Sequence, residues 1–215
     1  LGKSKIYCQN SKIFLVSKYM LEQKYRHHYQ KIFIAPMLKM GCKFSPTAIT
    51  VLSGVVGLLV IPAVYFHYPW LAIFILAFSG YLDTLDGSVA RACDSSSQLG
   101  GALDIVMDRV VESAVIFALY LVDPSRGIAC FLMLFANLIC ITSFLVVGIF
   151  VEQNSNKSFF YHSGLIERAE AFIFYALMII LPGLFTPLAY AYIVLVLLSA
   201  FLHLRFFHFW QKDNA

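Results

Sequence analysis

Runs of about twenty apolar residues, separated by short polar or proline-containing breaks, recur along most of this chain. A hydrocarbon layer of about 30 Å is crossed by about 20 residues of helix. Within lipid, the backbone N–H and C=O groups of such a run must be satisfied inside the segment, and a helix does this. The composition agrees: 60% of the 215 residues are hydrophobic and 13% charged, and the mean hydropathy is +0.77. The expected fold class is therefore all-α, a polytopic membrane protein with six transmembrane helices. They are predicted at 48–67, 69–90, 102–122, 127–150, 168–184 and 187–208. The third is the least hydrophobic, because it carries Asp104, Asp108, Arg109 and Glu112. Residues 46–215 read as a single six-helix domain, and no internal repeat of the transporter kind is visible.

Residues 1–45 read as a basic arm. Nine of the 16 Lys and Arg residues precede Pro46, where Glu22 is the only acid. From Ser11 to about Met40, Ile13, Phe14, Val16, Met20, Leu21 and Tyr25 alternate with Lys12, Lys18, Lys24 and Arg26. That pattern predicts an amphipathic juxtamembrane helix facing anionic headgroups rather than a nucleic-acid partner. No signal peptide is expected. The remaining cations favour one side of the spans, which predicts cytoplasmic N- and C-termini in a plasma (bacterial inner) membrane. Cys8, Cys42, Cys93, Cys130 and Cys140 show no CxxC or CxxH spacing and read as reduced thiols.

One stretch departs from the apolar pattern. Asp83-Thr-Leu-Asp86-Gly87-Ser-Val-Ala90-Arg91 is followed, after eight residues, by Gly100-Gly-Ala-Leu-Asp104-Ile-Val-Met-Asp108. Ionisable groups at membrane depth are costly and by default mark function. Spacings of three and four residues put each pair of acids on one helix face. If the loop between them reverses the chain, all four carboxylates meet. Such a set needs cations or protons, and its oxygen ligands suit Mg²⁺ above other divalent ions. The small residues Gly87, Ala90, Gly100 and Gly101 permit close approach of a ligand, and Arg91 adds a donor for phosphate oxygens. The residues point to metal-assisted chemistry on a phosphorylated ligand at the inner membrane surface.

The stretch resembles the signature of the CDP-alcohol phosphotransferase family, D-x-x-D-G-x-x-A-R-x8-G-x3-D-x3-D, at every specified position. Pro46-Thr-Ala-Ile-Thr50 is similar to the family's P-N-x-x-T, with Thr47 in place of asparagine. The resemblance implies a homodimeric membrane enzyme that transfers a phosphatidyl group from CDP-diacylglycerol to an alcohol or phospho-alcohol and releases CMP. It also implies two Mg²⁺ or Mn²⁺ ions held by Asp83, Asp86, Asp104 and Asp108, with Asp108 as general base. Thr50, Asp83, Gly87, Ala90, Arg91 and Gly100 would line the CDP pocket. Arg109 and Glu112 read as a structural pair.

Gly164-Leu-Ile-Glu167-Arg168-Ala-Glu170-Ala171 resembles the G-x-x-E-R-x-E-R stretch of members that use inositol phosphate, with Ala171 replacing the second arginine. Arg168, Lys157 and Arg205 are the candidates for binding the acceptor, and a role as topology charges stays open beside that. Two rivals remain at this stage. An ion- or proton-coupled transporter would use the carboxylates as a relay, and an intramembrane aspartyl protease would need two acids and no arginine.

Overall fold

A computed structural model of the chain describes residues 45–153 and 168–214, and every regular element among them is helical. Helix α1 spans Pro46–Leu58 and α2 spans Val60–Tyr65. Proline in the first turn of α1 sacrifices no bond, since that N–H has no intrahelical partner. Pro62 differs, because it lacks the N–H that would bond the Leu58 carbonyl. The helix tightens there, and the Leu59 N–H turns to the Val56 carbonyl at 3.0 Å. Together α1 and α2 make one apolar segment of 20 residues. Then come α3 (Pro69–Ala92), α4 (Gln98–Val122), α5 (Gly127–Gln153), α6 (Arg168–Ile180) and α7 (Phe185–Asn214). Short 3₁₀ turns at Pro124–Arg126 and Pro182–Leu184 precede α5 and α7.

These helices fall on the six expected stretches. Four segments are long and apolar enough to cross a membrane: Pro46–Tyr65, Pro69–Ala92, Pro124–Val151 and Pro182–Lys212. The 25 residues of α4 hold two aspartates, an arginine and a glutamate, and α6 has 13 residues. The basic arm, with its expected amphipathic helix, lies outside the described residues.

The turn between α3 and α4 brings the two halves of the acidic stretch together. Asp94 adopts φ 49, a left-handed conformation that aspartate tolerates better than most residues. The Ser95 N–H bonds the Ala90 carbonyl at 2.9 Å, a Schellman-type close to α3. Ser97 then caps α4, its hydroxyl accepting from the Gly100 N–H at 3.0 Å. At the opposite end of the bundle, the Asp123 carboxylate accepts from the Ser125 N–H at 3.1 Å and pairs with Arg126 at 3.1 Å. The expectation of reduced thiols holds for Cys130 and Cys140, which are free. Cys93 corrects it: this residue at the end of α3 is disulfide-bonded.

Helices α1 and α2 pack against α3 and α4, while α7 lies against α5 and α6. Contacts of α4 with α5 and of α3 with α6 join the two groups. Close approach of α1 to α4 depends on Gly57: a Cβ there would overlap the Val111 side chain and stand 3.0 Å from Ser79 Oγ. The core is built from Val60, Val115, Ile116, Leu119, Met133 and Met178, all fully buried. The outer faces show Trp70, Phe74, Ile128, Phe131 and Phe201. Large apolar residues outside and several polar ones inside is the arrangement a lipid-facing bundle requires.

Candidate active site

The last turns of α3 and the first turns of α4 run side by side, so spacing along each helix becomes proximity between them. Carboxylate oxygens of Asp83, Asp104 and Asp108 lie within 4.8 Å of one another. Arg168, the first residue of α6, enters from a third helix. One of its guanidinium nitrogens contacts both Asp83 and Asp108, and its carbon lies 5.3 Å from the centroid of the Phe172 ring. Three carboxylates therefore face one guanidinium, which leaves negative charge to be neutralised.

The donor set fits a hard divalent cation. Ligands on opposite sides of Mg²⁺ stand about 4.2 Å apart, each about 2.1 Å from the ion, so the observed separation needs only side-chain adjustment. Asp83 Oδ1 is also buried without a hydrogen-bond partner among the described residues. A buried oxygen left in that state is free to serve as a ligand.

The other expected site residues take distinct places. Asp86 is 5% exposed and turned toward α1, where it accepts a hydrogen bond from the Thr50 hydroxyl. Three of the four expected metal ligands thus converge, while the fourth ties α3 to α1. Ser53 and Ser79 continue that tie: Ser53 donates to the Thr50 carbonyl at 2.7 Å and Ser79 to the Ser53 carbonyl at 2.9 Å. Arg91 folds back over Gly87, where a Cβ would meet its guanidinium at 3.3 Å. Ala90 lies one residue before it, in the last turns of α3. Gly100 lies in the first turn of α4, with the Thr47 hydroxyl 4.0 Å from where its Cβ would stand. The Thr that replaces the family's asparagine therefore faces the motif. Arg168 is at the acids, whereas Arg205 is exposed on α7 with its guanidinium over the Phe209 ring, 5.6 Å from the centroid. Lys157 lies outside the described residues.

The sequence pattern of the family described as CDP-alcohol phosphatidyltransferase matches residues 43–206. The chain belongs to that family. It is a CDP-alcohol phosphatidyltransferase, a transferase of phospholipid biosynthesis built on membrane helices, and the transport reading is set aside. It is similar to the phosphatidylinositol phosphate synthase of Corynebacterium glutamicum, 26% identical over 170 residues that cover 74% of each chain. A CDP-diacylglycerol–serine O-phosphatidyltransferase of Mycobacterium bovis is 42% identical over 65 residues, 30% of this chain and 23% of that protein. The crystal structure of Mycobacterium tuberculosis phosphatidylinositol phosphate synthase with CDP-DAG bound shares the fold. Its TM-score is 0.64 at 18% identity, over 80% of this transferase and 89% of that chain.

Sequence reasoning missed one part of the enzyme's interior. Glu112, one turn beyond Asp108, is 4% exposed and pairs with Arg109 at 2.7 Å. Its other oxygen accepts from Asn137 of α5 at 3.1 Å. Asn137 in turn meets Tyr175 of α6 at 3.3 Å and Tyr192 of α7 at 2.8 Å, and the two tyrosine hydroxyls are 2.8 Å apart. An amide in the middle of the long apolar run of α5 was the available signal. The tyrosines carried none, because aromatic residues are ordinary occupants of such helices.

Proposed function

We propose that this transferase uses Mg²⁺ or Mn²⁺ to move a phosphatidyl group from CDP-diacylglycerol to a phospho-alcohol, with inositol phosphate as the first acceptor to test. The observation that carries the reading is the convergence of Asp83, Asp104 and Asp108 with the Arg168 guanidinium among them. The acids would hold the ions, with Asp86 beside them. The chemistry supplied by the bound ions is neutralisation of the diphosphate and polarisation of the phosphorus under attack.

The chain's own groups have separate tasks. Asp108 accepts the proton of the acceptor hydroxyl, so that a new oxygen–phosphorus bond forms as the bond to CMP breaks. Arg91, folded over Gly87 at the same end of α3, holds a phosphate of the CDP group, with Ala90, Gly100 and Thr50 around it. Arg168 stands next to the base, which suits an acceptor whose phosphate lies close to its reacting hydroxyl. The name of the Corynebacterium glutamicum relative supports an inositol phosphate acceptor, and that of the Mycobacterium bovis relative keeps serine in the trial.

The distribution of charge supports a reading of the membrane side. Among the described residues, Arg91, Arg109, Arg168, Arg205 and Lys212 lie toward the acid end, and Arg126 alone lies at the other. That asymmetry supports an active site at the cytoplasmic face of a plasma membrane. The family resemblance supports a homodimer.

The test is product formation by purified protein given CDP-diacylglycerol and, separately, inositol phosphate, glycerol phosphate, inositol and serine. Metal-dependent CMP release with inositol phosphate is expected. Turnover that survives exhaustive chelation would remove the metal, and a preference for an uncharged acceptor would remove the phosphate-binding role of Arg168.

A further inference from the structure

The buried polar group around Asn137 has a single hydrogen-bonding solution. Tyr192 donates to Asn137 Oδ1, so the Tyr175 hydroxyl must donate to Tyr192. The Asn137 amide then spends its hydrogens on Tyr175 Oη and on Glu112 Oε2. The ring Asn137–Tyr175–Tyr192 is closed, and each of its members both donates and accepts. Its direction is dictated by Glu112. A carboxylate paired with Arg109 only accepts, so Asn137 cannot flip its amide without setting oxygen against oxygen. One acid on α4 thereby orients groups on α5, α6 and α7, in a place where Tyr175 and Tyr192 are 0% and 1% exposed.

The ring also reaches the acid cluster. Tyr175 follows Arg168 by seven residues, two helical turns, and so lies on the same face of α6. Phe172 stands between them, its ring under the Arg168 guanidinium and 6.4 Å from the ring of Tyr175. Any rotation or slide of α6 that moved Arg168 away from Asp83 and Asp108 would open the ring.

We infer that Glu112, Asn137, Tyr175 and Tyr192 are positioning residues for the acceptor side of the reaction, locking the register of α6 so that Arg168 stands between Asp83 and Asp108. The inference rests on the proposed role of Arg168 in acceptor binding, and two readouts separate them. The first is the rate at which phenylglyoxal modifies Arg168 in the full-length purified protein, measured by peptide mass spectrometry. Arg126, at the far end of the bundle, is the internal reference. In Tyr175→Phe and Glu112→Gln, modification of Arg168 should rise at least threefold with Arg126 unchanged. The second is steady-state kinetics, in which KM for inositol phosphate should rise several-fold while KM for CDP-diacylglycerol holds. Tyr175→Phe keeps the ring volume and removes only the hydroxyl, so it reports on positioning even if Glu112→Gln folds poorly. An unchanged Arg168 rate in Tyr175→Phe, or a rise shared equally by Arg126, would overturn the positioning role. A faster Arg168 with an unchanged KM for inositol phosphate would uphold the lock and overturn the acceptor role of Arg168.

Discussion

Two polar regions sit one helical turn apart in this bundle, and they are built on opposite principles. In the Glu112–Asn137–Tyr175–Tyr192 group each hydroxyl and amide oxygen has a partner, and the geometry closes on itself. In the Asp83–Asp104–Asp108 group, negative charge exceeds the one guanidinium present and Asp83 Oδ1 has no hydrogen bond among the described residues. A satisfied buried network rigidifies its surroundings, whereas an unsatisfied one is a reservoir of affinity for what is missing. The contrast separates scaffold from site more clearly than burial does.

That contrast can be attacked from either side. The largest effect is expected for Asp108→Asn, which removes the proposed base: turnover should fall about 10²–10⁴-fold. The melting temperature should stay level or rise, because one of the crowded charges is gone. A collapse in stability instead would make the cluster part of the scaffold. Asp83→Asn should raise the Mg²⁺ concentration for half-maximal activity by on the order of tenfold or more, since a metal ligand is lost. An unchanged metal requirement would take Asp83 out of the ligand set.

The ring should behave in the reverse way. Asn137→Leu leaves the Tyr192 hydroxyl without its acceptor, takes one donor from Tyr175 and leaves Glu112 with Arg109 alone, and a buried group left without its partner costs about 1–3 kcal/mol. Thermal unfolding in detergent or nanodiscs should register this as a clear loss of stability. A wild-type melting temperature would mean that the ring is not a lock. The smallest effect is expected at the far turn. The Ser125 hydroxyl, donating to Asp123, is the first cause holding this carboxyl below its ordinary range. Its contribution is therefore present above the usual carboxylate range and is lost only as pH falls through the lowered folded-state value. At neutral pH, Asp123→Asn should leave turnover unaltered and shift melting only slightly. A loss of turnover there would couple the far end of the bundle to the site.

Much of the site was legible because its information is local. Fixed gaps along two helices and a short loop predicted that all four carboxylates would meet, and Asp83, Asp104 and Asp108 do. The turn chemistry of Asp94 and Ser97 explains why the loop reverses. Asp86 shows where that logic stops: its spacing put it on the same face as Asp83, yet Thr50 on α1 draws it aside. Glu112 was visible as the partner of Arg109, but the groups on three other helices that it is bonded to through Asn137 were not.

By itself, the order of residues determined the helical class, the stretches the helices occupy and the identity of the acid motif. These depend on hydropathy over twenty residues and on spacing within a few turns. Tertiary structure decided that Arg168 reaches the acids, that Asp86 answers to Thr50, and that Asn137, Tyr175 and Tyr192 close a ring. Each of these joins residues on different helices. They depend on how far one backbone lies from another and on which faces meet, as at Gly57 against Val111. Packing sets those quantities, and no local pattern carries them.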